Sequence, residues 1–304
     1  MTKISIWIKA FRLRTLPLSL SGIILGSALV LNTEHWNLSI FILSLSTTLC
    51  FQILSNLAND LGDHLKGTDN ENRVGPQRAV QSGKISVKQM KTAVFIFILL
   101  SVISSLSLIY LSLFNANLTI QIIYIFLAVF AILAALFYTL GKKAYGYFGF
   151  GDVFVFVFFG LISVLGVFTL YTHFFMYQNL FPAITIGLLS VAVLNLNNMR
   201  DIQNDKLSNK KTLVVQIGLK NAKKYHFFLI LTSFFSLLLY FLIFKSLVYL
   251  FVLIPFLRLF IHLKFVWKNK NEKEMDSQLK VVALNTFFLA ILFILVAIIQ
   301  HQSN

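Results

Sequence analysis

The chain has 304 residues, of which 58% are hydrophobic and 12% charged, with a mean hydropathy of +0.81. Soluble domains carry about a quarter charged residues, so this composition excludes an ordinary soluble fold and makes lipid the main solvent. A formal net charge of +15 would point a soluble protein toward nucleic acid, but here the basic residues cluster between apolar runs, so the excess is a topology signal and no nucleic-acid partner is expected.

Crossing a hydrocarbon core takes about 20 apolar residues, and runs of this kind recur at roughly 15–32, 38–58, 92–113, 118–140, 152–172, 181–199, 225–244, 246–264 and 281–299. The basic stretch 1–14 and the run after it superficially resemble a secretory signal. The chain continues into a further span without a small-residue cleavage site, so a retained first helix is expected. With that terminus placed in the cytoplasm, loops 59–91, 141–151, 200–224 and 265–280 fall on the same side. All of the 26 Lys and Arg except Lys245 and Arg258 then lie there, and the tail 301–304 lies outside.

Backbone polar groups in hydrocarbon must be satisfied within the segment, and continuous rather than alternating apolar runs select helices. The expected fold class is all-α: a polytopic membrane protein with about nine transmembrane helices in one bundle, amino terminus cytoplasmic. Residues 1–304 form a single domain in this reading, in the cytoplasmic (plasma) membrane. Cys50, the sole cysteine, can form no intramolecular disulfide and reads as a small buried thiol. Near the amino terminus, Arg12, Arg14, Thr15 and Pro17 read as membrane-entry features.

The first polar constellation starts in the apolar end of the second span and runs through Asn56, Asn59, Asp60, Asp63, His64, Lys66, Asp69, Glu71, Arg73 and Arg78. On a helix, Asn56, Asp60 and Asp63 follow i, i+4, i+7 spacing and share a face. His64 has no zinc-type partner spacing and reads as a loop histidine. The second constellation leaves the sixth span through Asn197, Arg200, Asp201, Asp205, Lys206, Lys210 and Lys211, with Asn197, Asp201 and Asp205 at i, i+4, i+8. Only 11 acidic residues exist in the chain, and more than half fall in these two segments.

Two facing sets of oxygen ligands suit Mg²⁺, which uses one or two carboxylates together with substrate phosphate oxygens. The expected metal ligands are Asn56, Asp60, Asp63, Asn197, Asp201 and Asp205, with the four aspartates as catalytic residues. Lys66, Arg73, Arg78, Lys210 and Lys211 supply cations for a diphosphate whose charge grows as its bond to carbon breaks. Isolated ionisable groups could instead bind a transported ion at membrane depth, but these sit at helix ends beside phosphate-suited cations.

A third segment, from Tyr138 through Lys142, Lys143, Tyr145 and Tyr147 to Asp152, joins the fourth and fifth spans. It reads equally as an interfacial aromatic hairpin or as a substrate pocket. In the second case Tyr138, Lys142, Tyr145 and Asp152 would line that pocket. No Walker loop, dinucleotide fingerprint or Gly-x-Ser-x-Gly elbow is present.

With Asn-Asp-Leu-Gly-Asp from Asn59, Arg-Val-Gly-Pro-Gln-Arg from Arg73, Tyr-Thr-Leu-Gly from Tyr138, Gly-Asp-Val-Phe-Val-Phe from Gly151 and Asn-Asn-Met-Arg-Asp from Asn197, the chain resembles the UbiA-type intramembrane prenyltransferases along essentially its whole length. Within them it is most similar to the branch that prenylates dihydroxynaphthoate. The resemblance implies Mg²⁺-assisted loss of diphosphate from a prenyl diphosphate and capture of the allylic cation by an aromatic acceptor, with the lipid tail leaving sideways into the bilayer. Its two Mg²⁺–diphosphate motifs correspond to Asn56, Asp60 and Asp63 and to Asn197, Asp201 and Asp205, with Asp69 a further candidate. Another aromatic acceptor, such as 4-hydroxybenzoate, homogentisate or haem, would use the same machinery.

Overall fold

The computed structural model describes residues 2–31, 33–70 and 74–303, and every regular element among them is helical. Arg73, one of the expected phosphate-binding cations, lies outside the described residues. A short amphipathic helix α1 (Lys3–Ala10) leads through a tight turn, with Arg12 in the left-handed region, into α2 (Leu16–Ala28). The long helices that follow are α3 (Leu38–Leu65), α4 (Val87–Leu113) and α5 (Leu118–Phe137). The next span runs continuously through α6 (Gly151–Val155), a π-helical stretch Phe156–Gly166 and α7 (Val167–Thr172). Then come α8 (Leu180–Arg200), a short α9 (Ile202–Leu207), α10 (Leu213–Phe244), α11 (Ile254–Lys268) and α12 (Met275–Ser303).

Eight helices among the described residues are long and apolar enough to cross a membrane, and the chain is a multi-pass membrane protein. The expected first span is different in kind. Its helix α2 has only 13 residues, about 20 Å of rise, and most of its side chains are buried among α3, α12 and the π-helical stretch. Two other expectations shift at their ends. Helix α3 continues past residue 58 to Leu65, and α10 starts at Leu213, well inside what reads as a loop. It bends at Gly218, whose φ of 77° breaks the helical path.

The sequence explains where lipid and protein meet. Apolar side chains surround α5 on all sides and few of them are buried, whereas most of α8 is buried inside the protein. Helix α8 is therefore the axis, packed by α10, α12 and the π-helical stretch, while α4 and α5 turn residues such as Phe95, Ile103 and Phe126 outward to lipid. Contact with α8 is close because small residues meet there. A Cβ on Gly160 would lie 2.6 Å from Cα of Gly187 and 2.8 Å from the carbonyl oxygen of Ala183, the backbone approach that membrane helices reach through small side chains.

Overpacking of this kind costs about 1–3 kcal/mol. Gly160→Ala should therefore lower the thermal midpoint in detergent by several degrees, whereas Gly166→Ala, whose nearest neighbours would lie at 3.6 Å, should leave it nearly unchanged. Equal midpoints for the two variants would show that the contact between Gly160 and Gly187 does not limit packing.

Candidate active site

The last three turns of α3 carry Asn56, Asp60 and Asp63, all buried. Helix α3 stops at Gly67, whose φ of 71° suits glycine. The backbone N–H of Thr68 then returns to the carbonyl of Asp63 at 2.9 Å. This reversal sets Thr68 beside Asp63 and sends the following loop back across the helix face. There the N–H of Ala79 donates to Oδ2 of Asp60 at 3.2 Å. Arg78 ion-pairs through Nη2 with Oδ2 of Asp63 at 3.0 Å and through Nε with Oδ1 of Asp69 at 3.3 Å.

Three segments meet at Tyr147, in the 3-10 turn Tyr145–Tyr147. Its hydroxyl donates to Oδ1 of Asp63 at 2.8 Å. With that proton committed, the 2.6 Å contact to Oγ1 of Thr68 has the threonine as donor. Nζ of Lys66 lies 4.0 Å from the centre of the Tyr147 ring and Nζ of Lys210 lies 5.3 Å away. The N–H of Lys211 donates to the Tyr147 carbonyl at 3.0 Å. Burial, reinforced by the charge of Asp63, raises the Tyr147 pKa well above that of an ordinary phenol, so the hydroxyl keeps its proton.

The second constellation is organised by Arg200, whose side chain is fully buried at the end of α8. Its Nε and Nη2 donate to the two oxygens of Asp201 at 2.9 and 2.6 Å, and Nη2 also donates to Oδ1 of Asn197 at 2.8 Å. Nη1 pairs with Asp276 at the start of α12, which Arg14 also approaches at 3.8 Å. Farther along, Nζ of Lys210 stands 3.9 Å from Asp205. Burial works against the Lys210 charge, but Asp63 and Asp205 outweigh it and lift its pKa above the ordinary lysine value.

The two constellations converge. Nδ2 of Asn204 donates to the Thr68 carbonyl at 2.9 Å, and Lys210 feels both Asp63 and Asp205. Burial opposes the charge on Arg78, yet the fields of Asp63, Asp69, Asp60 and Asp201 together raise its pKa. Expected neighbours from the third segment are close as well. Tyr138 is pushed up to about 12, mainly by burial, and it senses Lys210, Asp63, Asp152 and Asp205. Tyr145 donates to the Ala134 carbonyl and stacks on Phe154 at 3.9 Å. Asp152 is buried beside Tyr225 of α10.

Other expected site residues are placed differently. Asn56 ties the site to the amino terminus: its Nδ2 donates to the Phe11 carbonyl at 2.9 Å and to Oγ1 of Thr15 at 3.2 Å, while its Oδ1 accepts from Gln52. Asn197 and Asp201 face Arg200 rather than an open cluster. Lys142 and Lys211 are exposed at the edge. Among the described residues no three acidic, histidine or cysteine side chains form a ready-made metal cage.

Arg200 and Tyr147 are residues that motif spacing did not single out. An arginine directly before an aspartate at the end of an apolar span was the available signal for Arg200, whereas nothing distinguishes Tyr147 from its neighbouring tyrosines.

A family model described as the UbiA prenyltransferase family matches residues 19–292. The 1,4-dihydroxy-2-naphthoate octaprenyltransferase of Haemophilus influenzae is 43% identical over 226 residues, which is 74% of this chain and 73% of that protein. The Escherichia coli protein of the same name is 42% identical over 75% and 73% of the two chains. Among solved structures, a UbiA homolog from Archaeoglobus fulgidus bound to DMAPP and Mg²⁺ has the same fold, with a TM-score of 0.66 at 15% identity, covering 96% of this chain and 99% of that one.

Removing one partner of a buried ion pair leaves the other charge uncompensated, at a cost of roughly 3–5 kcal/mol. Arg200→Gln should therefore sharply lower the thermal midpoint in detergent, and Arg14→Gln, at an exposed position, should barely change it. Equal effects would mean that Arg200 does not hold the end of α8 in place.

Proposed function

Because the chain belongs to the UbiA prenyltransferase family, we propose that it transfers a polyprenyl group from a prenyl diphosphate to 1,4-dihydroxy-2-naphthoate, releasing diphosphate and carbon dioxide and giving demethylmenaquinone in its reduced, quinol form in menaquinone biosynthesis. The observation that carries this reading is the convergence of two aspartate-rich helix ends around Arg78, Lys210 and Tyr147 at one end of an apolar bundle. The names of the two bacterial relatives support the acceptor.

The donor set fits a hard cation. Oδ1 of Asp60 is buried and makes no hydrogen bond to protein, and Asp63, Asp201 and Asp205, at the same end of the bundle, carry oxygens of the type Mg²⁺ prefers that they share with Arg78, Arg200 and Lys210. When bound, Mg²⁺ supplies positive charge that stabilises the departing diphosphate. Nη1 of Arg78 is likewise buried without a hydrogen-bond partner, so this guanidinium has a donor left for a phosphate oxygen while it holds Asp63 and Asp69.

Lys66 and Lys210, both close to the Tyr147 ring, neutralise the remaining diphosphate charge, with Lys211 exposed at the edge; Arg73, a further expected cation, lies outside the described residues. Tyr147 keeps Asp63 oriented by donating its proton. The apolar interior of the bundle excludes water from the allylic cation as it forms. Tyr138, Tyr145 and Asp152 form the acceptor side, where an electron-rich ring carbon attacks. In this reading the whole chain, 1–304, works as one domain of the plasma membrane, with its amino terminus and active site facing the cytoplasm, as the distribution of Lys and Arg supports.

Liposome-reconstituted protein should prenylate dihydroxynaphthoate and not 4-hydroxybenzoate when given a long-chain prenyl diphosphate, and only with Mg²⁺ present. Asp60→Ala and Asp201→Ala should each lower the rate by about 10²–10³-fold, the scale of losing a major electrostatic contribution in a dry site. Product from the benzoate alone would keep the mechanism and overturn the acceptor. No metal-dependent product from either acceptor would overturn the reading.

A further inference from the structure

On the outer face of α11, Leu257, Ile261, the adjacent pair Lys264 and Phe265, and Lys268 recur about once per helical turn, and all are exposed. The opposite face, with Phe256, Leu259, His262, Leu263 and Val266, is buried against α10 and α12. This outer stripe is apolar toward the middle of the helix and basic at its end. There it opens into a groove of about 590 Å³ lined by Ile261, Lys264, Phe265, Lys268, Lys270 and a single carboxylate, Glu274. Among the described residues none of the three lysines forms an ion pair with the protein.

The turn that carries Lys268 and Lys270 is braced from within. Nδ2 of Asn269 donates to the Asn271 carbonyl at 2.7 Å, the Asn271 N–H returns to Oδ1 of Asn269 at 2.9 Å, and Nζ of Lys223 donates to the Asn269 carbonyl. The lysines thus project from a fixed turn rather than from a loose loop. Asp276 follows a few residues later and holds Arg200, so the groove opens at the same end of the bundle as the aspartates.

We propose that this groove is a binding site for an anionic phospholipid, with the headgroup phosphate among Lys264, Lys268 and Lys270 and an acyl chain along Leu257, Ile261 and Phe265. Charge complementarity selects the headgroup. Three unpaired ammonium groups stand where an apolar stripe meets water, the arrangement by which basic sites at a membrane boundary hold anionic lipids. The chemistry also distinguishes the occupant from a prenyl diphosphate. The groove offers no carboxylate cluster for a metal and no arginine fork, and point charges suffice for a single phosphate. The site is independent of the reaction proposed above.

The test compares thermal midpoints of the full chain in phosphatidylcholine vesicles with and without phosphatidylglycerol, together with lipid retention by native mass spectrometry after detergent extraction. Phosphatidylglycerol should raise the wild-type midpoint. The K264Q/K268Q/K270Q variant should keep its midpoint in phosphatidylcholine and lose that rise, and each lysine removed should weaken retention by about fivefold. A control variant, K84Q/K88Q/K91Q, removes the same charge from exposed positions at the start of α4 and should keep the response.

The proposal is overturned if the first variant responds like wild type, if the control loses the response equally, or if inorganic phosphate added to phosphatidylcholine vesicles reproduces the rise. Retention measured on the single variants K264Q, K268Q and K270Q decides the matter even where the triple variant folds poorly; unchanged retention in all three would sink the site.

Discussion

Asp60, Asp63, Asp69, Asp201 and Asp205 are buried at one end of a bundle whose membrane-spanning helices turn apolar side chains outward. Burying an ion costs several kcal/mol unless it meets a partner, and the local folding of four loops and helix ends follows from that demand. The chain reverses after Gly67 so that Thr68, Tyr147 and Arg78 reach Asp63. The end of α8 is capped by its own arginine, which joins Asp201 to Asp276 and so draws α12 against α8. Lys210 is held between Asp63 and Asp205, which connects the two halves. Neutralisation, rather than apolar packing, sets the relative positions of these segments.

Such pairs are costly to break on one side yet contribute little net stability when intact. That asymmetry suits a site proposed to receive a charged ligand. Arg78 and the lysines beside Tyr147 already stand in a field of carboxylates, and a diphosphate arriving with a divalent cation would bring charges of both signs. It would exchange partners within a cluster that already holds both signs of charge. The same field fixes the protonation states needed beforehand: Lys210 stays cationic although buried, and Tyr147 stays a donor.

Much of this was legible in the sequence, for specific reasons. Apolar length alone gave the helices, because lipid leaves no alternative way to satisfy a backbone. The i, i+4, i+7 spacing puts Asn56, Asp60 and Asp63 on one face of a helix, and α3 does run on through them. Hydropathy misplaced the end of α3 because polar residues buried inside the protein look the same as polar residues in water. It equally failed to see α9 and the first turns of α10, which lie among basic residues. The π-helical stretch leaves no hydropathy trace at all, since its residues are as apolar as those of an α-helix. Nor does spacing reveal who neutralises whom: Asn197 and Asp201 have the pattern of ligands, yet the residue between them in space is Arg200.

Gly62, between Asp60 and Asp63, shows how tightly the charged cluster depends on ordinary packing. A Cβ there would collide with the side chain of Thr139 and would lie 2.8 Å from its carbonyl carbon. Thr139 is itself fixed: its hydroxyl donates to the Ala58 carbonyl at 3.0 Å and approaches Oδ1 of Asn59 at 3.3 Å. The end of α5 is therefore pressed directly against the turn of α3 that carries the carboxylates, and Tyr138, Tyr145 and Tyr147 follow from that junction. Separating α3 from Thr139 by even one methyl group would move the tyrosine loop relative to Asp63, and the 2.8 Å bond from Tyr147 would be among the first contacts to lengthen. A side chain that makes no contact with any charge thus controls the distance between the two groups on which the first half of the site turns.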